Sequence, residues 1–419
     1  VSTYGCTFNQ AKSDELSKAL LDFGHELVDE LKADAVIVNT CTVKDATEQK
    51  IVARLRKLDS LGKKLIVTGC LAGQNPKLVK KIAPNSLAIV HPKDLMQIVS
   101  MLTPGAGECN DFIGRELDGV IARLPISTGC LSNCTYCATK LVWGDLVSTP
   151  LEKLVFEAKL VVKSGAREIR LCSVDSGCYG FEKPSYALLP QLIDEIASLK
   201  GDFMVRVGMS SPQHFIKIMP ALLKSFESPK VYKFAHIPVQ SGSNSVLREM
   251  KRGYSREQFV QCVESLRNKF PQITIATDVI VGFPSETNED FQATLDLMQE
   301  IQFDVVNVSK YSPRPFTKAA AMDLLSHDVV NSRSKTASEL SRKIILRKNE
   351  SRVGRVERVL VTEKTPTGFQ ARTINYLPVV LPKARVGAWF DVQITGFGQS
   401  HLKANVLNRA VLANAILQI

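Results

Sequence analysis

Through the first quarter of the chain, short β-branched runs alternate with stretches whose apolar positions recur every three or four residues. Runs at 34–39, 64–68 and 86–90 predict strands, and the helical period over 10–23, 44–59 and 75–82 predicts helices between them. Strand–helix repetition implies parallel pairing, since each helix carries the chain back to the same end of the sheet. Thr103-Pro104-Gly105-Ala106-Gly107 breaks the rhythm and predicts a boundary near 103–112. The rhythm then resumes, with strands expected at 121–127, 168–173, 203–208, 231–239, 273–281 and 304–311. Six such units fall short of the eight that close a full barrel, so an open, partial (βα)6 barrel is expected. A basic helix over 328–350 ends it. The tail changes period: 358–362, 369–374, 378–381 and 389–394 read as short strands split by Gly, Pro and Asn, a small all-β barrel. The expectation is an α/β chain of three domains, 1–108, 113–350 and 351–419.

Composition narrows the class. Hydrophobic residues make up 45% and charged residues 23%, as in a soluble globular protein. No apolar run is long enough to span a bilayer. Val1-Ser2-Thr3-Tyr4-Gly5-Cys6 enters sequence of folded character at once, so neither a leader nor a membrane partner is expected. The net charge of +11 is uneven: residues 351–419 carry nine Lys and Arg against three acidic residues. A basic module on a near-neutral body reads as a polyanion handle or as a merely solvated surface.

The ten cysteines carry the chemistry. Without a secretion signal they point to metal ligation in a reducing cytoplasm rather than to disulfides. Cys130-x3-Cys134-x2-Cys137 follows the first strand of the central domain. Three thiolates on one tight loop hold three irons of a [4Fe–4S] cluster and leave the fourth open, as chelation by S-adenosylmethionine (SAM) requires. A structural zinc site would want four ligands, usually as paired knuckles. Tyr136, between the last two cysteines, is a candidate for stacking on the adenine of SAM. Cys6, Cys41 and Cys70 are far apart in sequence, yet Cys41 and Cys70 each follow a predicted strand and Cys6 follows the opening segment Ser2-Thr3-Tyr4-Gly5. They read either as small buried hydrophobes or as a second converging set, because strand carboxyl ends share one edge of a parallel sheet. Cys109, Cys172, Cys178 and Cys262 have no ligand spacing and default to packing, with Cys178 nearest a predicted strand end.

At these residues the chain resembles the radical SAM methylthiotransferase family over nearly its whole length. Thr3-Tyr4-Gly5-Cys6-x-x-Asn9, Asn39-Thr40-Cys41-Thr42-Val43 and Thr68-Gly69-Cys70-Leu71 are similar to its three N-terminal cluster motifs. Asp175-x4-Gly180, His236-x-Pro238-x-Gln240-Ser241-Gly242, Met250-x-Arg252-x-Tyr254, Thr277-Asp278-x-Ile280-x-Gly282-Phe283-Pro284 and Tyr311-Ser312-Pro313-Arg314-Pro315 are similar to its barrel motifs. The tail, with Arg372-Thr373-x-Asn375-Tyr376, resembles the RNA-binding TRAM domain. Cys137-x-x-Lys140 and the wording around Cys41 and Tyr311 resemble the branch acting on N6-threonylcarbamoyladenosine beside the anticodon. Three places depart from the pattern: Val142-Trp143-Gly144 replaces Ala-Arg-Gly, Lys12 replaces Asp, and Phe316 and Lys318 replace Gly and Pro.

The resemblance implies two [4Fe–4S] clusters, held by Cys6, Cys41 and Cys70 and by Cys130, Cys134 and Cys137, with SAM as co-substrate. It implies a tRNA anticodon loop, a ferredoxin- or flavodoxin-type electron donor and a sulfur donor as partners. Arg206 is then assigned to the SAM carboxylate, its other reading being a surface strand arginine. Gln240 and Ser241 are assigned to ribose hydroxyls, and Ser173 or Asp175 to the methionyl amine. Asp278 and Gly282 are assigned to the adenine pocket, Gly282 because backbone must approach closely. Arg358, Arg372, Lys383, Arg385 and Lys403 are expected to grip RNA phosphates. The rivals are methylthiolation of a ribosomal-protein aspartate and a non-catalytic iron–sulfur RNA-binding protein.

Overall fold

The computed structural model describes residues 1–42, 45–105, 114–182 and 188–407. Val43, Cys109 and most of the linker expected near 103–112 lie outside the described residues. Among the described residues, no helix is long and apolar enough to cross a membrane.

The first unit is a four-stranded parallel sheet in sequence order: Ser2–Thr3, Ala35–Thr40, Lys64–Gly69 and Ala88–Ile89. Side chains alternate across it as a pleated strand requires. Val36, Val38, Leu65 and Val67 pack against helices Asp45–Ser60 and Pro76–Ile82. Ile37 and Ile66 face the other way, onto Thr7–Asp22 and Met96–Leu102. Helices on both faces bury the sheet completely, so its strands read as continuous apolar runs.

In the central unit, the strands Ile121–Pro125, Glu168–Cys172 and Met204–Arg206 form one parallel set, and Phe234–His236, Thr274–Val281 and Val305–Lys310 form another. A parallel bridge between Val205 and Val231 joins the two sets into one open six-strand wall. The six strands match the sequence expectation, although several are shorter than their apolar runs. The 24-residue helix His327–Glu350 closes the unit.

The tail is a closed five-strand barrel of Val356–Thr365, Gly368–Thr373, Pro378–Leu381, Leu402–Val406 and Trp389–Phe397 in spatial order. Reading four strands from sequence missed Leu402–Val406. Of that strand only Leu402 and Ala404 are fully buried, and Ala404 is too small to give a strand signal. This barrel packs on the open wall: Leu360 and Tyr376 join Met204, Tyr232, Phe234 and Ala276 in one apolar cluster. At its centre Glu168, fully buried, accepts from Tyr376 Oη (2.9 Å), Tyr232 Oη (3.2 Å) and Arg170 Nε (2.5 Å). Two hydroxyls and one guanidinium thus satisfy a carboxylate that would otherwise be buried without partners.

Candidate active site

Cys6, Cys41 and Cys70 emerge from one edge of the first sheet. The register sets Thr3 opposite Asn39 and Thr40 opposite Gly69, so all three cysteines follow the carboxyl ends of adjacent strands. Gly5 lets the first loop press against the second. Its φ is +106°, and a Cβ there would lie 2.8 Å from Cys41 Cβ and 2.9 Å from Cys41 Sγ. Asn9 fixes the same junction by donating through Nδ2 to the carbonyls of Tyr4 (3.0 Å) and Thr40 (2.7 Å). The Cys70 thiol is pushed up, first by burial and then by the neighbouring Cys6 and Cys41. Binding a cation as a thiolate relieves such crowding, which is the condition a cluster meets. Lys12, where the resemblance places Asp, pairs with Glu15 at 2.9 Å.

The second triad sits on the loop after Ile121–Pro125, pinched at its base by antiparallel Ser127–Thr128 and Val147–Ser148. Lys140 ties the loop by donating to the Cys130 carbonyl and to Asp145 Oδ1 at 2.7 Å. Two donors point at sulfur rather than oxygen: Ser132 N–H to Cys130 Sγ (3.3 Å) and Arg252 Nη1 to Cys134 Sγ (3.1 Å). Arg252 is held by Ser211 Oγ (3.0 Å) and the Pro238 carbonyl (3.3 Å), so its charge is aimed rather than free. Thiolate ligands to iron call for such donors, and the residues fit [4Fe–4S] clusters. The two triads are neighbours: Cys70 packs in one apolar cluster with Val142 and Trp143, on the helix Ala138–Trp143 that follows Cys137. Between them Trp143, 1% exposed, packs with Phe8, Cys70, Cys172 and Val174, and its ring meets Phe8 edge-on at 4.9 Å. Trp143 thus fills the wall between the two sites with an apolar ring.

Cys178 lies on the short turn Ser176–Cys178 beside Cys130. Donor atoms of Cys130, Asp175 and Cys178 all fall within 4.8 Å of one another. The hydrogen bond to Cys130, and then burial, keep the proton on Cys178, whose Sγ lies 3.1 Å from the Asp175 carbonyl. Asp175 is fully engaged, accepting from Gly177 N (3.1 Å) and Ser211 N (2.9 Å) and pairing with His214 Nδ1 (2.8 Å).

Comparison with known proteins adds a decisive finding. A model of the radical SAM superfamily matches residues 124–298, one described as uncharacterized protein family UPF0004 matches 1–90, and the TRAM domain matches 350–407. The probable threonylcarbamoyladenosine tRNA methylthiotransferase of Pyrococcus horikoshii is 38% identical, covering 97% of this chain and 99% of its own. The human threonylcarbamoyladenosine tRNA methylthiotransferase is 32% identical, over 98% of this chain and 74% of its own. The chain belongs to this methylthiotransferase family. Among solved structures, the radical SAM methyltransferase TsrM from Kitasatospora setae shares the fold with TM-score 0.53 at 15% identity, covering 74% of this chain and 72% of that one.

For a methylthiotransferase of this family, the remaining assigned residues fall into two groups. Ser173, Asp175 and Gln240 follow barrel strands on the edge that carries the Cys130 loop. Gln240 holds φ +68° and exchanges backbone hydrogen bonds with Asp278 and Ile280. Ser173 Oγ pairs with Ser176 Oγ (3.3 Å), and Tyr136 packs against Val246, Met250, Phe283 and Ala319. Asp278 joins His236 Nε2 (2.9 Å) and Asn307 Nδ2 (2.8 Å) inside the wall. The second group is set by packing. Ser241, fully buried, faces Thr294 Oγ1 at 3.3 Å and accepts from Ser243 N. Gly282, at φ +74°, is crowded by Val330 of the closing helix, 2.6 Å from where a Cβ would stand. Arg206 lies over the rings of Phe234 (5.0 Å) and Tyr376 (5.4 Å), which pack on each other where the tail meets the wall. In the tail, Arg358, Lys383, Arg385 and Lys403 are exposed. Arg372 is half-buried over Tyr376 at 4.7 Å.

Sequence reasoning gave no role to Arg252, Asn9 or His214. Arg252 and Asn9 stood inside matched motifs, so a motif signal existed. His214 opens the helix Pro212–Ser225 without any local cue.

Proposed function

We propose that this chain converts N6-threonylcarbamoyladenosine beside the anticodon of tRNA to its 2-methylthio derivative, with Cys130, Cys134 and Cys137 holding the SAM-binding cluster and Cys6, Cys41 and Cys70 holding the second. The observation carrying this reading is the approach of two three-thiol sites across the boundary between the first unit and the barrel. When bound, one cluster with SAM supplies a radical able to take hydrogen from an unactivated carbon, and the other supplies the sulfur. The protein's part is positioning and exclusion of water. Lys140 and the small hairpin fix the Cys130 loop, and Arg252 offsets negative charge at Cys134. Asn9 and Gly5 hold the strand ends that carry Cys6 and Cys41. Trp143 keeps water from the gap between the sites. Ser173, Asp175, Gln240 and Asp278 line the barrel edge where SAM would lie, with Tyr136 against its adenine. Exposed Arg358, Lys383, Arg385 and Lys403 provide phosphate contacts. A low-potential electron donor of ferredoxin or flavodoxin type and a sulfur donor complete the reaction in the cytoplasm. The three domains take the divisions 1–108, 113–350 and 351–419.

The test is nucleoside mass spectrometry of tRNA from cells lacking and then regaining this protein. The 2-methylthio derivative should vanish and return. If it stays constant while the reduced protein still releases 5′-deoxyadenosine from SAM, the tRNA substrate is wrong and ribosomal protein is examined next.

A further inference from the structure

One aromatic side chain is placed against both local preferences and solvent. Thr317 N donates to the Arg314 carbonyl at 3.1 Å, closing a four-residue turn in which Phe316 takes φ +68°. That geometry wants glycine, and a bulky residue there is a strained outlier. The ring gains no packing in return, for Phe316 is 79% exposed. A strained, solvent-facing aromatic persists only where the surroundings over-determine it, and such positions gather at ligand sites.

The turn is tied down on both sides. Arg314 Nη1 meets Glu48 Oε2 at 2.7 Å, and Gln74 Nε2 donates to the Pro315 carbonyl at 3.3 Å. The Thr42 hydroxyl lies 3.0 Å from Glu48 Oε2 and 2.9 Å from Gln74 Oε1, donating to one at a time, and so closes the ring. Thr42 adjoins Cys41, and Gln74 ends the helix that Cys70 begins. On the far side Ala319 N donates to the Thr135 carbonyl, beside Cys134, at 2.9 Å. The segment therefore spans from one triad to the other and holds Phe316 at the rim of the gap between them. Lys318, two residues on, is also exposed.

We propose that Phe316 is a stacking platform for an unstacked base of the RNA substrate adjoining the modified adenine, with Lys318 on the phosphate next to it. This rests on the function proposed above, since an adenine presented to both triads must enter through that rim. Bases splayed from a loop are held by aromatic faces, and a neighbouring cation takes the backbone. One flat ring with one ammonium beside it matches a base and its neighbouring phosphate.

The experiment compares wild type, Phe316→Gly, Phe316→Trp and Lys318→Ala with an anticodon stem–loop RNA bearing N6-threonylcarbamoyladenosine. Phe316→Gly relieves the backbone strain, so its Tm and iron content should equal or exceed wild type, which excludes misfolding. Its KM for the RNA should rise by about five- to a hundredfold, with the loss falling on KM rather than kcat. Phe316→Trp should keep the wild-type KM, and Lys318→Ala should raise it less while flattening its salt dependence. With 2-aminopurine beside the modified position, binding should quench fluorescence in wild type and Phe316→Trp and not in Phe316→Gly. A KM within twofold of wild type for Phe316→Gly, or Trp as damaging as Gly, overturns the proposal. Wild type that makes no methylthio product defeats instead the function on which it rests.

Discussion

The two thiol triads are built in opposite ways. Cys130, Cys134 and Cys137 share one loop, and their spacing states the site outright. Cys6, Cys41 and Cys70 span 65 positions and meet only because three adjacent parallel strands end at one edge. The local triad is made by a loop and then steadied by distant groups such as Arg252. The dispersed triad is made by the fold itself, so anything that shifts a strand end unmakes it. A local site tolerates change around it; a topological one does not.

The largest effects should separate the two sites. Cys137→Ala and Cys41→Ala should each lower bound iron from about eight to about four atoms per chain, measured by iron analysis and electron paramagnetic resonance. Only Cys137→Ala should abolish 5′-deoxyadenosine formation; loss of SAM cleavage in Cys41→Ala would erase the division of labour. Next comes Gly5→Ala, which puts a methyl 2.8 Å from Cys41 Cβ at φ +106°. It should empty the dispersed site selectively and lower stability by at least ~1 kcal/mol, read by iron content and thermal unfolding. Equal iron loss from both sites would mean that the dispersed triad depends on its strand ends no more than the local one does.

Arg252→Met should act on the local site alone. Removing a half-buried charged donor to Cys134 Sγ is worth ~1.5–3 kcal/mol, or roughly ten- to a hundredfold in the rate of SAM cleavage. A cleavage rate equal to wild type would remove Arg252 from the account. The smallest effects concern the tail. Arg358→Gln and Lys403→Gln should each weaken RNA binding and reduce the salt slope by about 0.7–0.9. Arg372→Gln should leave the slope unchanged, because that guanidinium lies over Tyr376 rather than in solvent. A reduced slope for Arg372→Gln would place it among the phosphate contacts after all.

Local features were legible in the sequence, and side-chain contacts between distant positions were not. The Cys130 loop announced itself, and the six barrel strands followed from their apolar runs. Arg252 reaches Cys134 across 118 positions, and Asn9 reaches Thr40 across 31. No periodicity encodes such distances. Arg206 illustrates the same limit: its strand end marks it as a candidate SAM contact, while Tyr376 of the tail supplies one of the two rings it lies over. Only the docking of the tail on the open wall determines that environment. Cys178 read as packing because its partner Cys130 lies 48 positions away, on another strand's loop.

The central claim is that both triads are needed to make one product, and product analysis of RNA tests it most directly. Reconstituted wild type, Cys41→Ala and Cys137→Ala are each incubated with SAM, reductant and RNA bearing N6-threonylcarbamoyladenosine, and the nucleosides are weighed. The account predicts the 2-methylthio nucleoside from wild type alone, with 5′-deoxyadenosine from wild type and Cys41→Ala. Methylthiolated RNA from Cys41→Ala would contradict it.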